Sequence, residues 1–457
     1  MIKHYPRVLI LSRTEITEFN SQGAALGNWF HDWPKAKLAH LYSAPIGARE
    51  PFCGHSYLLT GRERRWGRLF DRLKREAVKQ RANHALAPQV KEMMTVRTWL
   101  GEAVRRGGKA ALEDAGLREL LFSARLSKCL DEWVCRFQPD VVFAMVTDLG
   151  FMQFAQLLNE RYQIPLCIEI NDDWPNTLYR NSVFGFAMFP LVDRTFRRLL
   201  AQSSICLTIG KEMEREYKTR YKVQTEASMC CDEPERFLAA DTRRVTPRDE
   251  ITIVYCGQLI NNRWKSMLDL FRAVEVLQSK GKNIGVSVYS SEVPPEAKAA
   301  FSGFPWLRYS RTLGHGEVAG ILKGADILFH GEGFDSEYYD YIRYSVSSKV
   351  QLYMLSGVPI LVYGPSGVGV VEYARNSGWA YVVDRQDPTV IEEVILRLAS
   401  DAPLRGQIVA KALETFYENH DAHAVRERLR QILCQVAAGR STQQLPNRNN
   451  DKVPLHI

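Results

Sequence analysis

Short apolar runs alternate with longer stretches of helical spacing along nearly the whole chain, which predicts parallel βαβ units. In the first half, 7–11 (RVLIL) predicts the opening strand and 38–42 a second. Helical spacing over 117–137 ends before Pro139, and 140–146 (DVVFAMV) follows as a buried strand. A helix over 151–162 leads to a strand over 165–170 (PLCIEI). A helix over 196–202, a strand over 205–209 and a charged helix over 211–221 complete this half. Between 231 and 250 the periodicity stops, and the polar run DEPERFLAADTRRVTPRDE reads as an interdomain linker.

The alternation then restarts with a strand over 251–255 (ITIVY), a helix over 267–278 and a strand over 284–289. A helix over 318–322 and a strand over 326–330 follow, then a helix over 349–355 and the strand 359–363 (PILVY). Stretches 390–398 and 424–436 predict closing helices. The expected organisation is a first lobe over 1–230, a linker over 231–250, a second lobe over 251–410 and closing helices over 411–438. The polar tail 439–457 is expected to be disordered.

Length and composition fit this division. A chain of 457 residues, 46% hydrophobic and 25% charged, suits two globular cores better than one. No apolar run reaches the roughly 20 residues of a membrane-spanning helix. The first apolar stretch is interrupted at Ser12 and Arg13 and reads as a core strand, so a cytoplasmic protein is expected. Nine scattered cysteines, with only Cys230 and Cys231 adjacent and no CxxC pair, point to reduced thiols and away from a disulfide framework or a zinc site. No Asp/His clustering suggests a metal. The net charge of +8 fits an anionic small ligand or membrane surface, and no nucleic-acid partner is expected.

Candidate chemistry concentrates in the second half. Segment 347–365, SSKVQLYMLSGVPILVYGP, opens a helix with Ser-Lys, closes it at Ser356-Gly357 and continues into a Pro-led apolar strand. It resembles the donor-site signature of the retaining GT-B glycosyltransferases of family 4 type (glycosyl transferases group 1), which include sucrose and mannosyl transferases. The preceding 325–349, ADILFHGEGFDSEYYDYIRYSVSSK, is similar to polysaccharide-assembly members. The resemblance runs over roughly 251–400 and is thinner over 1–230. It implies an α/β fold of two Rossmann-like lobes, a cleft between them and a C-terminal helix crossing back. It also implies a hexosyltransferase that retains anomeric configuration. A nucleotide-diphosphate sugar would be its co-substrate, and no cofactor is expected.

The residues suit that chemistry. A pyrophosphate seeks N–H donors at a helix N-terminus, where Ser347, Ser348 and Lys349 stand, and the hydroxyls can cap the helix. Lys349 and Arg343 offer charge-assisted bonds to phosphate. Gly257-Gln258-Leu259 follows the strand ITIVYC as the family's Gly-Arg-Leu turn does, with Gln258 in place of the Arg and Arg263 and Lys265 near the family's Lys. The family's paired glutamates correspond to Tyr344 and Leu352, which leaves Glu332, in HGEGF, as the candidate carboxylate contact to the donor.

In the first lobe, Gly23 lies in the turn after the first strand, where a missing Cβ permits close approach of a phosphate or acceptor. The strand 165–170 runs into Asn171-Asp172-Asp173-Trp174-Pro175, at the edge where α/β folds bind ligands. Asn171 replaces the family's His. Asp172, Asp173 and, after the preceding strand, Asp148 are the catalytic candidates for orienting an acceptor hydroxyl. Each also suits an ordinary turn.

Stretch 62–81, RERRWGRLFDRLKREAVKQR, holds nine basic and three acidic residues. Trp66, Leu69, Phe70 and Leu73 repeat at helical spacing between Arg64, Arg65, Arg68 and Arg72, the pattern of a helix lying on an anionic membrane. The alternative is a lobe-packing helix with a solvated basic face. The resulting expectation is transfer of a sugar to a glycan or lipid-linked acceptor at the inner face of the plasma membrane. A catalytically silent nucleotide-binding relative and a sugar-nucleotide epimerase are the alternatives.

Overall fold

The computed structural model describes residues 3–17, 20–47, 50–63, 124–180, 182, 185–242, 249–291, 293–310 and 315–439. The expected membrane set Arg64, Arg65, Trp66, Arg68, Phe70 and Arg72, the start of the 117–137 helix and the tail beyond 439 lie outside the described residues.

The first lobe runs β1 (Val8–Leu11), α1 (Ser21–Trp29), β2 (Leu38–Tyr42), β3 (His55–Leu58), α2 (Lys128–Phe137), β4 (Val141–Met145) and α3 (Leu149–Tyr162). It continues with β5 (Leu166–Ile170), α4 (Gly185–Gln202), β6 (Ile205–Thr208), α5 (Lys211–Tyr221) and β7 (Thr225–Ala227). Its seven strands lie in the order β3-β2-β1-β4-β5-β6-β7, all parallel. Alternate residues of each strand feed two cores. Leu9, Val142 and Ile168 face one layer of helices, while Ile10, Phe143 and Cys167 face the other.

The second lobe begins with α6 (Pro234–Leu238), β8 (Ile251–Cys256), α7 (Arg263–Ser279), β9 (Ile284–Tyr289), α8 (Pro295–Phe301), β10 (Arg308–Ser310) and α9 (His315–Lys323). Then come β11 (Ile327–Gly331), α10 (Ser336–Ile342), α11 (Val350–Leu355), β12 (Ile360–Tyr363), α12 (Gly369–Ser377), β13 (Tyr381–Val383) and α13 (Pro388–Ser400). Six parallel strands lie in the order β10-β9-β8-β11-β12-β13. Helix α14 (Ala402–Asn419) closes this lobe by burying Ala412 and Phe416 in its core. Helix α15 (Ala422–Gly439) crosses back: Leu429, Ile432, Leu433 and Val436 pack with Val8, Ile10 and Val141 of the first sheet. Arg426 pins the crossing by donating to the Asn28 carbonyl at 2.6 Å and to Glu233 at 2.7 Å. Two Rossmann-like α/β lobes with a returning C-terminal helix are therefore the fold.

Three local readings change. Of the helix expected over 117–137, the described part begins late, because 124–127 is not helical and α2 starts at Lys128, where Ser127 Oγ accepts from the Leu130 amide at 3.2 Å. The polar stretch read as a linker contains α6, whose Phe237 is buried in the second core, and Lys323 donates to the carbonyls of Leu238 and Ala240. The flanking strands β3, β7, β10 and β13 are additional. They sit at sheet edges; β3, β7 and β10 have largely exposed or half-buried residues, and β13 is only three residues long, so none shows the long apolar run of a central strand.

Candidate functional site

The carboxyl edges of the two sheets face each other, and the segment between β11 and α11 bridges them. Asp172, just past β5, accepts from Ser345 Oγ at 2.5 Å and from the Tyr341 hydroxyl at 3.2 Å. Arg180 donates to Asp340 at 2.9 Å on the rim of the same junction. Tyr341, Tyr344 and Val346 also pack against the first lobe's core. Burial raises the Asp172 carboxyl above its ordinary value, and the bonds from Ser345 and Tyr341 only partly oppose this.

The other first-lobe candidates are engaged structurally. Asp173 is buried, receives two 2.9 Å bonds from Arg220 and one from the Tyr217 hydroxyl, and so anchors α5 to the end of β5. Burial raises its carboxyl while Arg220 pulls the other way. Asp148 caps α3, accepting from the Phe151 amide at 2.9 Å. The close approach at Gly23 is made by the chain itself. A Cβ there would sit 2.5 Å from the Thr17 backbone, and the Gly23 amide is taken by the Asn20 side chain at 2.6 Å.

In the second lobe, β8 ends at Cys256 and turns at Gly257, and the Tyr255 hydroxyl fixes the turn by donating to the Gln258 carbonyl at 2.6 Å. Asn261 and Asn262 both adopt left-handed backbone, with φ of 54° and 58°, before α7 opens at Arg263. Gly333 lies under this loop. A Cβ there would meet the Asn261 carbonyl at 2.6 Å, which explains a glycine after Glu332.

Arg263 donates from Nε and Nη2 to the two oxygens of Glu332, each at 2.8 Å. His330 Nε2 lies 3.0 Å from Glu332 Oε1 and must carry the proton, since an ionised carboxylate only accepts. Burial alone would raise Glu332, but Arg263 and His330 outweigh it and hold the carboxyl at about 2. The same pairing raises the Arg263 guanidinium despite its burial. Lys265 is also paired, 2.5 Å from Asp335.

Lys349 differs. It is half-buried, and no carboxylate or hydrogen-bond acceptor of the described residues engages its ammonium; burial pushes its pKa down. It is the N-cap of α11, with no side-chain cap bond, so Ser347 and Ser348 do not cap the helix as expected. Both serines are half-buried, and Ser348 accepts at its carbonyl from Gln351 at 2.6 Å. Arg343 is exposed and stacks 5.2 Å over the Tyr344 ring. Among the described residues, no group of three or more His, Cys, Asp or Glu forms a potential metal site.

The structure thus brings Asp172, Arg263, Glu332 and Lys349 into one electrostatic neighbourhood and leaves Asp148 and Asp173 at helix and strand ends. Sequence reasoning missed His330, Tyr341 and Ser345. All three lie inside 325–349, so the signal was their shared segment, but only the fold shows which of its polar residues face the first lobe.

No protein-family description matches this chain, and no curated protein matches it in sequence. Solved structures do match in fold. Anabaena HepE in complex with UDP and glucose is 10% identical with a TM-score of 0.59, over 94% of this chain and 100% of that one. Sucrose-phosphate synthase from Thermosynechococcus elongatus, also 10% identical, gives 0.60 over 94% and 99%. The UDP-forming trehalose-phosphate synthase of Burkholderia vietnamiensis, 12% identical, gives 0.60 over 96% and 100%. The fold is that of the GT-B glycosyltransferases.

Proposed function

We propose that this chain is a glycosyltransferase of the retaining, family 4 type that moves a hexosyl group from a nucleotide-diphosphate sugar to a hydroxyl acceptor. The observation that carries the reading is Lys349, a desolvated ammonium without a carboxylate partner among the described residues, close to Cys256 at the end of β8 and to Arg263. A cation so placed has an anionic ligand as its natural counterpart.

As the bond between the anomeric carbon and the diphosphate oxygen breaks, negative charge grows on the leaving oxygens. Lys349 stabilises that charge, aided by Ser347, Ser348 and Arg343. Arg263, already clamped by Glu332, acts as an oriented donor rather than as a free charge. In this reading Glu332 holds Arg263 and does not itself grip the donor. Asp172 orients the acceptor hydroxyl, and its raised pKa makes it a stronger base than a surface aspartate. The acceptor is a glycan or lipid-linked intermediate, with 62–81 docking the protein on anionic membrane. A binding-only relative is the second reading, favoured by the internal pairing of both Arg263 and Lys265.

Because structures of this fold were solved with UDP, UDP is the first probe. Lys349→Ala should weaken UDP binding by about 1.5–3 kcal/mol, the range for a hydrogen bond to a charged group. Wild-type affinity should also fall with rising pH at lower values than for an ordinary lysine, since only the protonated form binds and burial depresses its pKa. Calorimetry showing the variant unchanged would overturn the assignment. Turnover of any labelled UDP-sugar favours the transferase, and tight binding with no turnover favours the second reading.

A further inference from the structure

The α1 side of the first sheet carries an arrangement that a grip on diphosphate does not use. Met145 and Cys167 face this side, packed with Val141 and Phe143. Strand alternation places Thr147, Glu169 and Asn171 on the same side, nearer the carboxyl edge. Asn171 Nδ2 lies 3.9 Å from Met145 Sδ, and Met145 is in register with Glu169 on the neighbouring strand. Among the described residues, Thr147 Oγ1, both carboxyl oxygens of Glu169 and Asn171 Oδ1 are all buried without a hydrogen-bond partner, and Glu169 is fully enclosed.

Protein interiors leave few such atoms unpaired. Grouped at the carboxyl edge of two parallel strands, where α/β folds take ligands, they suit the hydrogen-bonding groups of something other than the chain. Burial, followed by the nearby Asp172 charge, pushes the Glu169 carboxyl far above the usual range, so it keeps its proton and both donates and accepts. Thr147 also does both, and Asn171 Oδ1 accepts. These three groups are uncharged, so a phosphate would find no counter-charge among them, whereas hydroxyls would find both donors and acceptors. Cys230 lies within electrostatic reach of Glu169, Asp172 and Lys349 alike, which ties this group to the cleft.

We propose that Thr147, Glu169 and Asn171 form a subsite for the hydroxyls of an uncharged sugar ring, beside the diphosphate grip of Lys349. This rests on the transferase reading and names what its first lobe recognises. Asp172, held by Tyr341 and Ser345, closes the second lobe against this edge, so the ring enters when the lobes part and is enclosed when they shut.

The test uses the full chain, with UDP as the fixed probe and two sources of ring. In the donor arm, calorimetry compares UDP with UDP-glucose, UDP-galactose and UDP-N-acetylglucosamine. In the acceptor arm, saturation-transfer NMR follows methyl glucosides, galactosides and mannosides added to protein saturated with UDP. Glu169→Leu and Asn171→Ala should leave UDP affinity within about twofold and weaken the ring-bearing ligand by about tenfold or more, the scale of a lost buried hydrogen bond. Glu169→Gln, which keeps a donor and an acceptor, should retain most of the ring affinity. An effect confined to one arm assigns the subsite to donor or acceptor sugar, and either result supports it. Should the wild type bind UDP but show no ring-dependent binding in either arm, the oxygens meet only internal water and the subsite is overturned, with the transferase reading untouched. Unchanged ring binding in both Glu169→Leu and Asn171→Ala overturns it equally. Failure of the wild type to bind UDP would instead count against the underlying reading.

Discussion

Glu332→Gln keeps the shape of a side chain that is only 2% exposed and doubly bonded to Arg263, while removing its charge. The carboxyl is held at about 2 against an ordinary 4.5. At about 1.36 kcal/mol for each tenfold change in proton affinity, that gap of roughly 2.5 decades is worth about 3 kcal/mol. Breaking a buried ion pair from one side costs a comparable 3–5 kcal/mol or so, because the orphaned guanidinium stays desolvated. For a lobe near 200 residues, that is a fall of roughly 6–12 °C in melting temperature. The sign with pH follows from the depressed carboxyl. Its contribution is complete above about 4.5 and is lost as pH falls toward about 2. Urea unfolding followed by tryptophan fluorescence at pH 7, 4 and 3 should therefore show the wild type and Glu332→Gln far apart at pH 7 and converging in acid. Arg263→Met combined with Glu332→Gln should recover part of the loss, since no buried charge is then left alone. A variant as stable as wild type at pH 7, or a difference that persists undiminished in acid, would refute the argument that this pair anchors α7 to the end of β11.

Other expectations follow from the same geometry. Asp172→Asn should retain UDP binding and lose transfer, whereas Asp173→Asn should mainly lower the melting temperature through its bonds to Arg220 and Tyr217; equal effects on turnover at both positions would reject this division of roles. Transfer should continue in the presence of a chelator, because cationic side chains are proposed to stabilise the leaving diphosphate; full loss restored by magnesium or manganese would show otherwise. The protein should float with anionic vesicles at low salt and release at high salt, each basic residue near the surface contributing about 1 kcal/mol. Replacing Arg64, Arg65, Arg68 and Arg72 by Gln should abolish flotation, and a wild type that ignores the vesicles would return 62–81 to lobe packing.

The architecture was legible because its signal is local. Buried parallel strands such as 141–145 and 360–363 must be apolar on both faces, and the helices between them must carry an apolar stripe, so periodicity exposed most of both lobes. Edge strands escaped because each is short and has only one neighbour among the described strands, and RYS at 308–310 needs no apolar residue. Candidate positions were legible in the same way: polar residues at the ends of apolar strands, and Ser-Ser-Lys ahead of a helix. What each candidate does depends on partners far away in sequence. Asp172 and Asp173 are neighbours in the chain, yet one is bonded by Ser345 across the lobe junction and the other by Arg220 within its own lobe. Arg263 and Lys349 carry the same charge, but a glutamate 69 positions away neutralises the first, and no carboxylate of the described residues meets the second. Local sequence sets the period of burial; only the folded chain decides which charges meet, because Coulomb energy and desolvation depend on distance through space and not along the chain.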